Sequence, residues 1–149
     1  MKISKYTGNT LVDNLTQEQR SFTMSRIRSK DTAPELMIRR RSHVRGLRFR
    51  IHMDGVAGHP DMAFPGIKVA VFVDGDFWHG WRFPQWKDKL SQYWRMKIER
   101  NRCRDQSNFA KLRRTDWLVI RIWEHNIKRD VESCVDRIEK AVRSRSTYH

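Results

Sequence analysis

The sequence has 149 residues, of which 38% are hydrophobic and 32% are charged, so it can form one packed domain and global disorder is not expected. Its 31 Lys and Arg residues outnumber 17 Asp and Glu residues, and the net charge of +14 favours a polyanion such as nucleic acid. A membrane surface would also attract basic charge, but no apolar run approaches the roughly 20 residues of a spanning helix, and no signal peptide opens the sequence. We therefore expect a cytoplasmic protein without a membrane partner.

The N-terminal part predicts a flexible arm over residues 1–14, because this stretch has no hydrophobic periodicity. Thr16 and Gln19 have the spacing of a capping box and predict the start of a short helix. Arg26 and Arg28 lie on a basic side of that helix. This side is either simply solvated or a strap across DNA phosphates, and the net charge favours the strap, with Arg26 and Arg28 as DNA contacts.

A second capping box begins at Thr32, with Pro34 in the first turn and Glu35 at its third position. It predicts a helix that runs to about Arg45 and ends at Gly46. Leu36, Met37 and Val44 are expected to form the buried side of this helix. The next segment, residues 47–53, alternates strictly between apolar and polar residues and predicts a strand with one buried and one basic face.

The central stretch, residues 58–79, predicts a β-hairpin with acidic groups at its ends. An apolar strand, residues 69–73, follows a Pro65-Gly66 turn; Asp61 precedes the turn, and Asp74, Asp76 and His79 follow the strand. An ideal tight turn would place Asp61 opposite Ala70 and roughly 13 Å from Asp74, at ~3.3 Å per residue. Since this is too far to share an ion directly, either the hairpin is wider or bulged, or Asp74 acts through water and the backbone carbonyl of Val73 fills the gap.

The remaining sequence predicts an aromatic, basic loop over residues 80–89 and then a long helix over residues 90–114. Lys97, Asn101 and Asp105 form a polar stripe along this helix, either solvated or facing a functional site. A strand over residues 117–123, a closing helix from Val131 and a frayed tail over residues 143–149 complete the chain. The order α-α-β-β-β-α-β-α predicts an α/β fold, a mixed central sheet flanked by helices, in a single domain over residues 15–142.

Two segments, Gly58-x-Pro60-Asp61 and residues 72–79 (FVDGDFWH), resemble motifs of the very short patch repair (Vsr-type) endonucleases. The likeness extends from about Met24 to about Trp123, and it implies a restriction-endonuclease-like core. It also implies a Mg²⁺-dependent enzyme that nicks double-stranded DNA next to a T:G mismatch and leaves a 5′-phosphate and a 3′-hydroxyl. Such an enzyme needs one site, so a monomer is expected.

Two other functions remain open. The same fold could serve restriction or anti-phage defence, acting on another DNA structure or on a modified base. A non-catalytic, basic nucleic-acid-binding module is the alternative of a different class. The clustering of Asp61, Asp74 and Asp76 in so basic a chain disfavours that module, because acids oppose phosphate binding.

The candidate catalytic residues are Glu35, Asp61, Asp74 and His79. An Asp in a short β segment has poor strand propensity, and such a misfit often marks a functional site, so Asp61 is the first candidate Mg²⁺ ligand. Asp74 and the Val73 carbonyl are further ligand candidates for one or two ions. His79 is the plausible proton-transfer group because its free pKa lies near neutrality, and the resemblance implies a catalytic histidine there. For Glu35, the resemblance implies a role in holding metal-bound water beside its role as a cap.

The resemblance implies that Phe77, Trp78 and Trp94 insert between base pairs as wedges. It also implies that Lys97 and Asn101 face the active-site side, which makes them candidate DNA contacts. It also implies a structural zinc next to this corner, at positions that here are Asp76, Trp81, Phe83 and His125. Trp and Phe cannot ligate zinc, so we expect no structural zinc. An aromatic cluster with an Asp76–His125 contact is predicted in its place.

Overall fold

The computed structural model describes residues 31–147. The predicted N-terminal arm, the capping box at Thr16, and the basic side with Arg26 and Arg28 lie outside the described residues. The helices are α1 (Ala33–Val44), α2 (Phe83–Trp86), α3 (Gln92–Arg114), α4 (Glu124–Arg129) and α5 (Val131–Thr147), with a 3₁₀ turn at Lys87–Lys89. The strands are β1 (Met62–Phe64), β2 (Val69–Asp74) and β3 (Leu118–Trp123).

The three strands form one mixed sheet in the order β1-β2-β3. Strand β1 is antiparallel to β2, whereas β3 is parallel to β2 and follows it through a connection that contains the long helix α3. Parallel neighbours require such a crossover, and helices then cover the faces of the sheet. The predicted fold class, a mixed sheet flanked by helices, is confirmed.

The central strand β2 is buried along its whole length, which is why its sequence is an almost continuous apolar run. One face of the sheet packs through Val71 and Ile122 against Ile38 of α1 and Ile138 of α5. The other face packs Ala70, Phe72, Phe109 and Leu112 together, so α3 covers it. This packing fixes the carboxyl end of β2, where Asp74 lies. Among residues 31–147, no helix has both the length and the apolar character needed to cross a membrane.

Helix α1 begins with the predicted capping box, in which Thr32 and Glu35 each accept the backbone N–H of the other. The predicted buried side was wrong, because Met37 and Val44 are 41% and 70% exposed. The buried face instead carries residues at i, i+3, i+4 and i+7, which are Glu35, Ile38, Arg39 and Ser42. Polar side chains are tolerated there because they have partners; the Ser42 hydroxyl donates to the carbonyl of Ile38 (2.7 Å).

The predicted strand over residues 47–53 does not form, and only Arg50 makes an isolated bridge, to Ala63 at the edge of the sheet. Leu47 is buried as expected, but Ile51 is 43% exposed and the backbone of His52 is left-handed (φ 53°), which ends any extended pairing. At the other end, helix α5 runs to Thr147 and thus includes residues that the sequence predicted to be frayed. Arg145 there donates to the carbonyl of Asp116 (2.9 Å).

The hairpin of β1 and β2 is wider than a two-residue turn would make it. Phe64 pairs with Val69 and Met62 with Val71, so the connection has four residues, including Lys68 with φ 55°. Asp61 is thereby shifted two positions along β2 relative to the ideal tight turn and lies opposite Phe72. Its separation from Asp74 along the strand is then two residues, or about 7 Å at ~3.3 Å per residue. Of the alternatives that the sequence left open, the wider hairpin is the one that occurs.

Gly58 allows this hairpin to pack against α3. Its φ is +79°, and a Cβ placed there would lie 3.0 Å from Cε1 of Phe72 and 3.2 Å from Cβ of Asn108. We expect Gly58→Ala to cost about 1–3 kcal/mol in the free energy of unfolding, measured by urea denaturation. Gly55→Ala is the matched control, since Gly55 has φ +82° with no atom within 4 Å of its added Cβ. Equal losses in the two variants would contradict the packing role of Gly58.

Candidate active site

A cleft of about 290 Å³ opens at the carboxyl end of β2. Glu35, Asp61, Asp74 and His79, the predicted catalytic residues, all line this cleft. They come from α1, the start of the hairpin, the end of β2 and the turn that follows it. The structure therefore brings together side chains that are far apart in the sequence, in one acidic hollow of a strongly basic protein.

Asp61 is held by the backbone of β2. Its N–H donates to the carbonyl of Val71 (2.9 Å), and its Oδ2 accepts the N–H of Val73 (2.6 Å). Burial raises the pKa of Asp61 to about 9, and the adjacent Glu35 carboxyl contributes to that rise. Two acids in contact at the wall of a cleft are unfavourable when both are ionised, so this pair favours the arrival of a cation.

Glu35 has two sets of contacts that are compatible with both of its predicted roles. One oxygen accepts the N–H of Thr32 (2.9 Å), which completes the cap of α1, and the same carboxyl contacts Asp61. Behind it lies the buried guanidinium of Arg39, with Nη2 at 3.8 Å from Oε2 of Glu35 and Nη1 donating to Asp31 (2.7 Å). This fixed cation partly offsets the buried acids on that side of the cleft.

On the other side of the cleft, His79 lies between two acids. Its Nδ1 is 2.6 Å from Oδ2 of Asp105, and its Nε2 is 3.5 Å from Oδ1 of Asp74. Burial alone would lower the pKa of His79, but the hydrogen bond to Asp105 and the charge of Asp74 raise it above its ordinary value. Burial also raises the pKa of Asp74, against the opposing charges of His79 and Arg121. The contact with Asp105 orients the imidazole ring towards the cleft.

Two residues of this arrangement were not predicted from the sequence. Asp105 was recognised only as part of a polar stripe and not as the partner of His79, and Arg121 was not singled out. Asp105 belongs to the polar stripe of α3, whose solvated alternative is wrong at this position because Asp105 is 9% exposed. Arg121 lies in the middle of β3 and donates to Asp74 (2.6 Å) and to Asp105 (3.0 Å). A charge inside an otherwise apolar strand is the kind of misfit that singled out Asp61, so the signal was present.

The donor groups of the cleft fit a hard divalent cation. Mg²⁺ prefers carboxylate and carbonyl oxygens, and Asp61, Glu35 and Asp74 offer the former while Val73 lines the same cleft. A second group could hold a metal ion as well, since Asp74, His79 and Asp105 each place a ligand atom within 4.8 Å of the others. That second group already contains the Arg121 guanidinium, so the Asp61 side is the better fit for a cation.

The predicted DNA wedges differ in their exposure. Phe77 and Trp94 are 2% and 3% exposed, and Phe77 stacks on Trp86 (5.7 Å between ring centroids, 16° between planes). Trp78 is half-buried. Insertion of Phe77 or Trp94 into DNA would therefore require this aromatic cluster to open, whereas Trp78 can present part of its ring without any change.

Lys97 and Asn101, the predicted DNA contacts on α3, are both half-buried. Asn101 donates through Nδ2 to the carbonyl of Trp78 (2.8 Å) and accepts from Arg104 (2.8 Å). It thus fixes the turn that carries Trp78 and His79 to the long helix. A contact of Lys97 or Asn101 with DNA stays a prediction.

The positions that correspond to the family's zinc site are Asp76, Trp81, Phe83 and His125. The predicted contact between Asp76 and His125 is present, with Nδ1 of His125 at 2.7 Å from Oδ1 of Asp76. The Trp81 ring lies 4.2 Å from that of His125, and the Asp76 N–H donates to Glu124 (2.9 Å). Phe83 packs edge-on against Trp86 nearby (5.3 Å). The predicted aromatic cluster is confirmed, and it links the turn after β2 to the start of α4.

We expect the purified protein to carry no tightly bound zinc, because two of the four positions offer aromatic rings in place of ligands. Elemental analysis by mass spectrometry after dialysis tests this. One zinc per chain that survives dialysis would contradict it. EDTA should leave the melting temperature of the protein unchanged.

Comparisons with known proteins show which family the chain is similar to. Residues 12–85 match the family model described as DNA mismatch endonuclease Vsr. The type II nicking enzyme V.NmeDIP of Neisseria meningitidis serogroup C is 38% identical over 137 residues, which cover 90% of this chain and 93% of the relative. The type II nicking enzyme V.XorIIP of Xanthomonas oryzae pv. oryzae is 40% identical over 76% of this chain and 85% of its own. DNA mismatch endonuclease Vsr of Escherichia coli is 30% identical over 70% of this chain and 69% of its own.

Proposed function

This chain belongs to the Vsr family of DNA endonucleases, and from that premise we propose that it nicks one strand of double-stranded DNA next to a T:G mismatch. The family membership makes it an endodeoxyribonuclease of the restriction-endonuclease-like fold. The proposed reaction requires Mg²⁺ and leaves a 5′-phosphate and a 3′-hydroxyl. A single chain would carry out the reaction, since one nick needs one site.

One observation carries the proposal: Glu35, Asp61, Asp74 and His79 converge in a single cleft at the end of the central strand. A module that only binds phosphates gains nothing from acids whose pKa is raised by burial, as it is for Asp61 and Asp74. Perturbed acids beside an imidazole, in a cleft, are typical of a catalytic site. This supports hydrolysis over passive binding.

The residues have distinct proposed roles. Asp61, Glu35 and the Val73 carbonyl would hold Mg²⁺, with Asp74 as a further ligand through the oxygen that Arg121 does not occupy. When bound, the ion would stabilise negative charge on the phosphate and lower the pKa of a coordinated water. His79 is fixed by Asp105 through Nδ1, which leaves Nε2 at the cleft, either to accept the proton of the attacking water or to hold the scissile phosphate. We assign contact with an unstacked base step to Trp78, because its ring is only half-buried whereas Phe77 and Trp94 are buried.

The names of the relatives favour a second candidate function. Type II nicking enzymes of Neisseria and Xanthomonas resemble this chain over most of its length. The same cleft could therefore act in a restriction or defence setting, on another DNA structure or on a modified base. Both candidates share the chemistry and differ only in the DNA that is recognised.

Cleavage mapping separates these possibilities. Supercoiled plasmid and end-labelled duplexes that carry a T:G mismatch, a matched T:A pair or a matched C:G pair are incubated with the protein and Mg²⁺. The proposal predicts a nick in one strand next to the T:G mismatch and intact matched duplexes. Cleavage of matched or modified DNA would support the second candidate, and binding without cleavage would contradict both.

A further inference from the structure

Arg121 is a charged residue in the middle of β3, paired in register with Phe72 of β2. Its Nε donates to Oδ2 of Asp74 (2.6 Å), and its Nη2 donates to Oδ2 of Asp105 (3.0 Å). Both acids also contact His79. The four side chains therefore form a closed ring of two acids and two basic groups at the wall of the cleft.

The guanidinium of Arg121 is also held by aromatic rings. It lies 4.2 Å from the centroid of Trp123 and 5.2 Å from that of Phe109. Such cation–π contacts hold the plane of a guanidinium in one orientation. Because its donors are already arranged as a planar fork, little side-chain entropy is lost when the hydrogen bonds form. A lysine ammonium has neither the fork nor the plane, so it could serve one acid but not hold both.

Asp74 and Asp105 need such a cation. Their side chains are 7% and 12% exposed, and both contact the same imidazole, so without Arg121 two buried carboxylates would repel each other across His79. The acids would then separate, and the 2.6 Å contact that orients His79 would be lost with them. Removal of the partners that orient a metal-bound imidazole commonly costs 10- to 100-fold in activity, and we expect a loss of the same order for the orientation of His79.

We propose that Arg121 is a positioning residue: it fixes Asp74 and Asp105, and through them the ring of His79. Its positive charge also neutralises the Asp74–His79–Asp105 group, so we expect a divalent ion to bind on the Asp61 side of the cleft. This inference rests on the proposed nicking function. Arg121 itself needs no contact with DNA to act in this way.

The test compares Arg121→Ala and Arg121→Lys with Arg113→Ala. Arg113 is an exposed arginine that also lies against the Phe109 ring (6.0 Å), so it controls for lost charge and lost stacking. We expect Arg121→Ala to lower kcat by about 100-fold with KM nearly unchanged, and Arg121→Lys to recover only part of that loss. Arg113→Ala should keep the wild-type kcat. Millimolar guanidinium chloride, at ionic strength matched with NaCl, should raise the kcat of Arg121→Ala at least about tenfold.

Wild-type kcat in Arg121→Ala would overturn the inference, and so would a change in KM alone. A folded Arg121→Ala variant whose kcat is low and does not rise with free guanidinium would also overturn it. An NMR experiment separates this result from failure of the proposed function, because it needs no cleavage. The Nδ1–H proton of His79, bonded to Asp105, should give a slowly exchanging signal in the wild type and in Arg113→Ala, and should be absent in Arg121→Ala. If Arg121→Ala does not fold, Arg121→Lys provides the test. A wild-type kcat and a wild-type His79 signal in Arg121→Lys would show that the planar guanidinium is not needed, which would refute the inference.

Discussion

Asp61→Asn is expected to abolish nicking, by about 1,000-fold or more, and at the same time to raise the melting temperature of the protein. The loss of activity follows because an amide carries no charge to hold a divalent cation. The gain in stability follows because burial and the neighbouring Glu35 destabilise the ionised Asp61 in the folded state. An asparagine can still accept the N–H of Val73 and can donate to Glu35.

The gain in stability should depend on pH in a defined direction. The pKa of Asp61 is raised on folding, so below about pH 4 the carboxyl is protonated in the folded and unfolded states and costs nothing. As the pH rises, the unfolded chain ionises first, and the folded protein loses stability relative to it. We therefore expect Asp61→Asn to gain about 1–2 kcal/mol near pH 7, or ~2–8 °C, and this gain should shrink towards zero as the pH falls below about 4.

The measurement is thermal unfolding in EDTA at several pH values, paired with a nicking assay in Mg²⁺. Asp54→Asn is the matched control, because Asp54 is an exposed acid of the neighbouring turn and should change neither quantity. An Asp61→Asn variant that nicks DNA would remove Asp61 from the site. A variant that is less stable than the wild type at pH 7 would show that Asp61 is neutralised by groups other than a bound cation.

His79→Ala should reduce nicking to background while the affinity for DNA stays within about threefold of the wild type. The imidazole is half-buried in the cleft, so its loss should remove a proton-transfer group and at most one contact with DNA. Affinity is measured by fluorescence anisotropy in Ca²⁺, and nicking by single-turnover assay in Mg²⁺. His43→Ala, at an exposed histidine of α1, controls for the loss of a histidine elsewhere.

Two results would contradict the role of His79. Wild-type nicking by His79→Ala would exclude it from the reaction. A large loss of affinity with proportionate loss of nicking would make it a binding residue.

A reduced but measurable rate in Asp105→Asn, about 100-fold below wild type, would support the orientation of the His79 ring by Asp105.

The sequence predicted the residues of the cleft better than the geometry that joins them. Asp61, Asp74 and His79 stand out because polar groups next to a buried strand are conspicuous, and Glu35 is visible as a cap. The register of the hairpin was not predictable from Pro65-Gly66 alone, because Lys68 adopts a left-handed backbone (φ 55°) and extends the connection to four residues.

Other errors share one physical cause, which is that partners in the folded protein override local patterns. The alternation over residues 47–53 predicts a strand, but a left-handed residue at His52 ends the extended backbone. The apolar residues Met37 and Val44 are exposed, while Arg39 is buried because Asp31 and Glu35 neutralise it. Such compensation depends on tertiary contacts, and a single sequence does not display them.

The most direct test of the account is the anomalous scattering of Mn²⁺ soaked into crystals of the wild-type protein and of Asp61→Asn. One strong peak is expected in the wild type, at an ion ligated by Asp61 on the side of the cleft away from Arg121, and no peak is expected in Asp61→Asn. A peak among Asp74, His79 and Asp105 with the Arg121 guanidinium displaced, or no peak beside Asp61 at millimolar Mn²⁺, would contradict the claim that this cleft is the catalytic metal site.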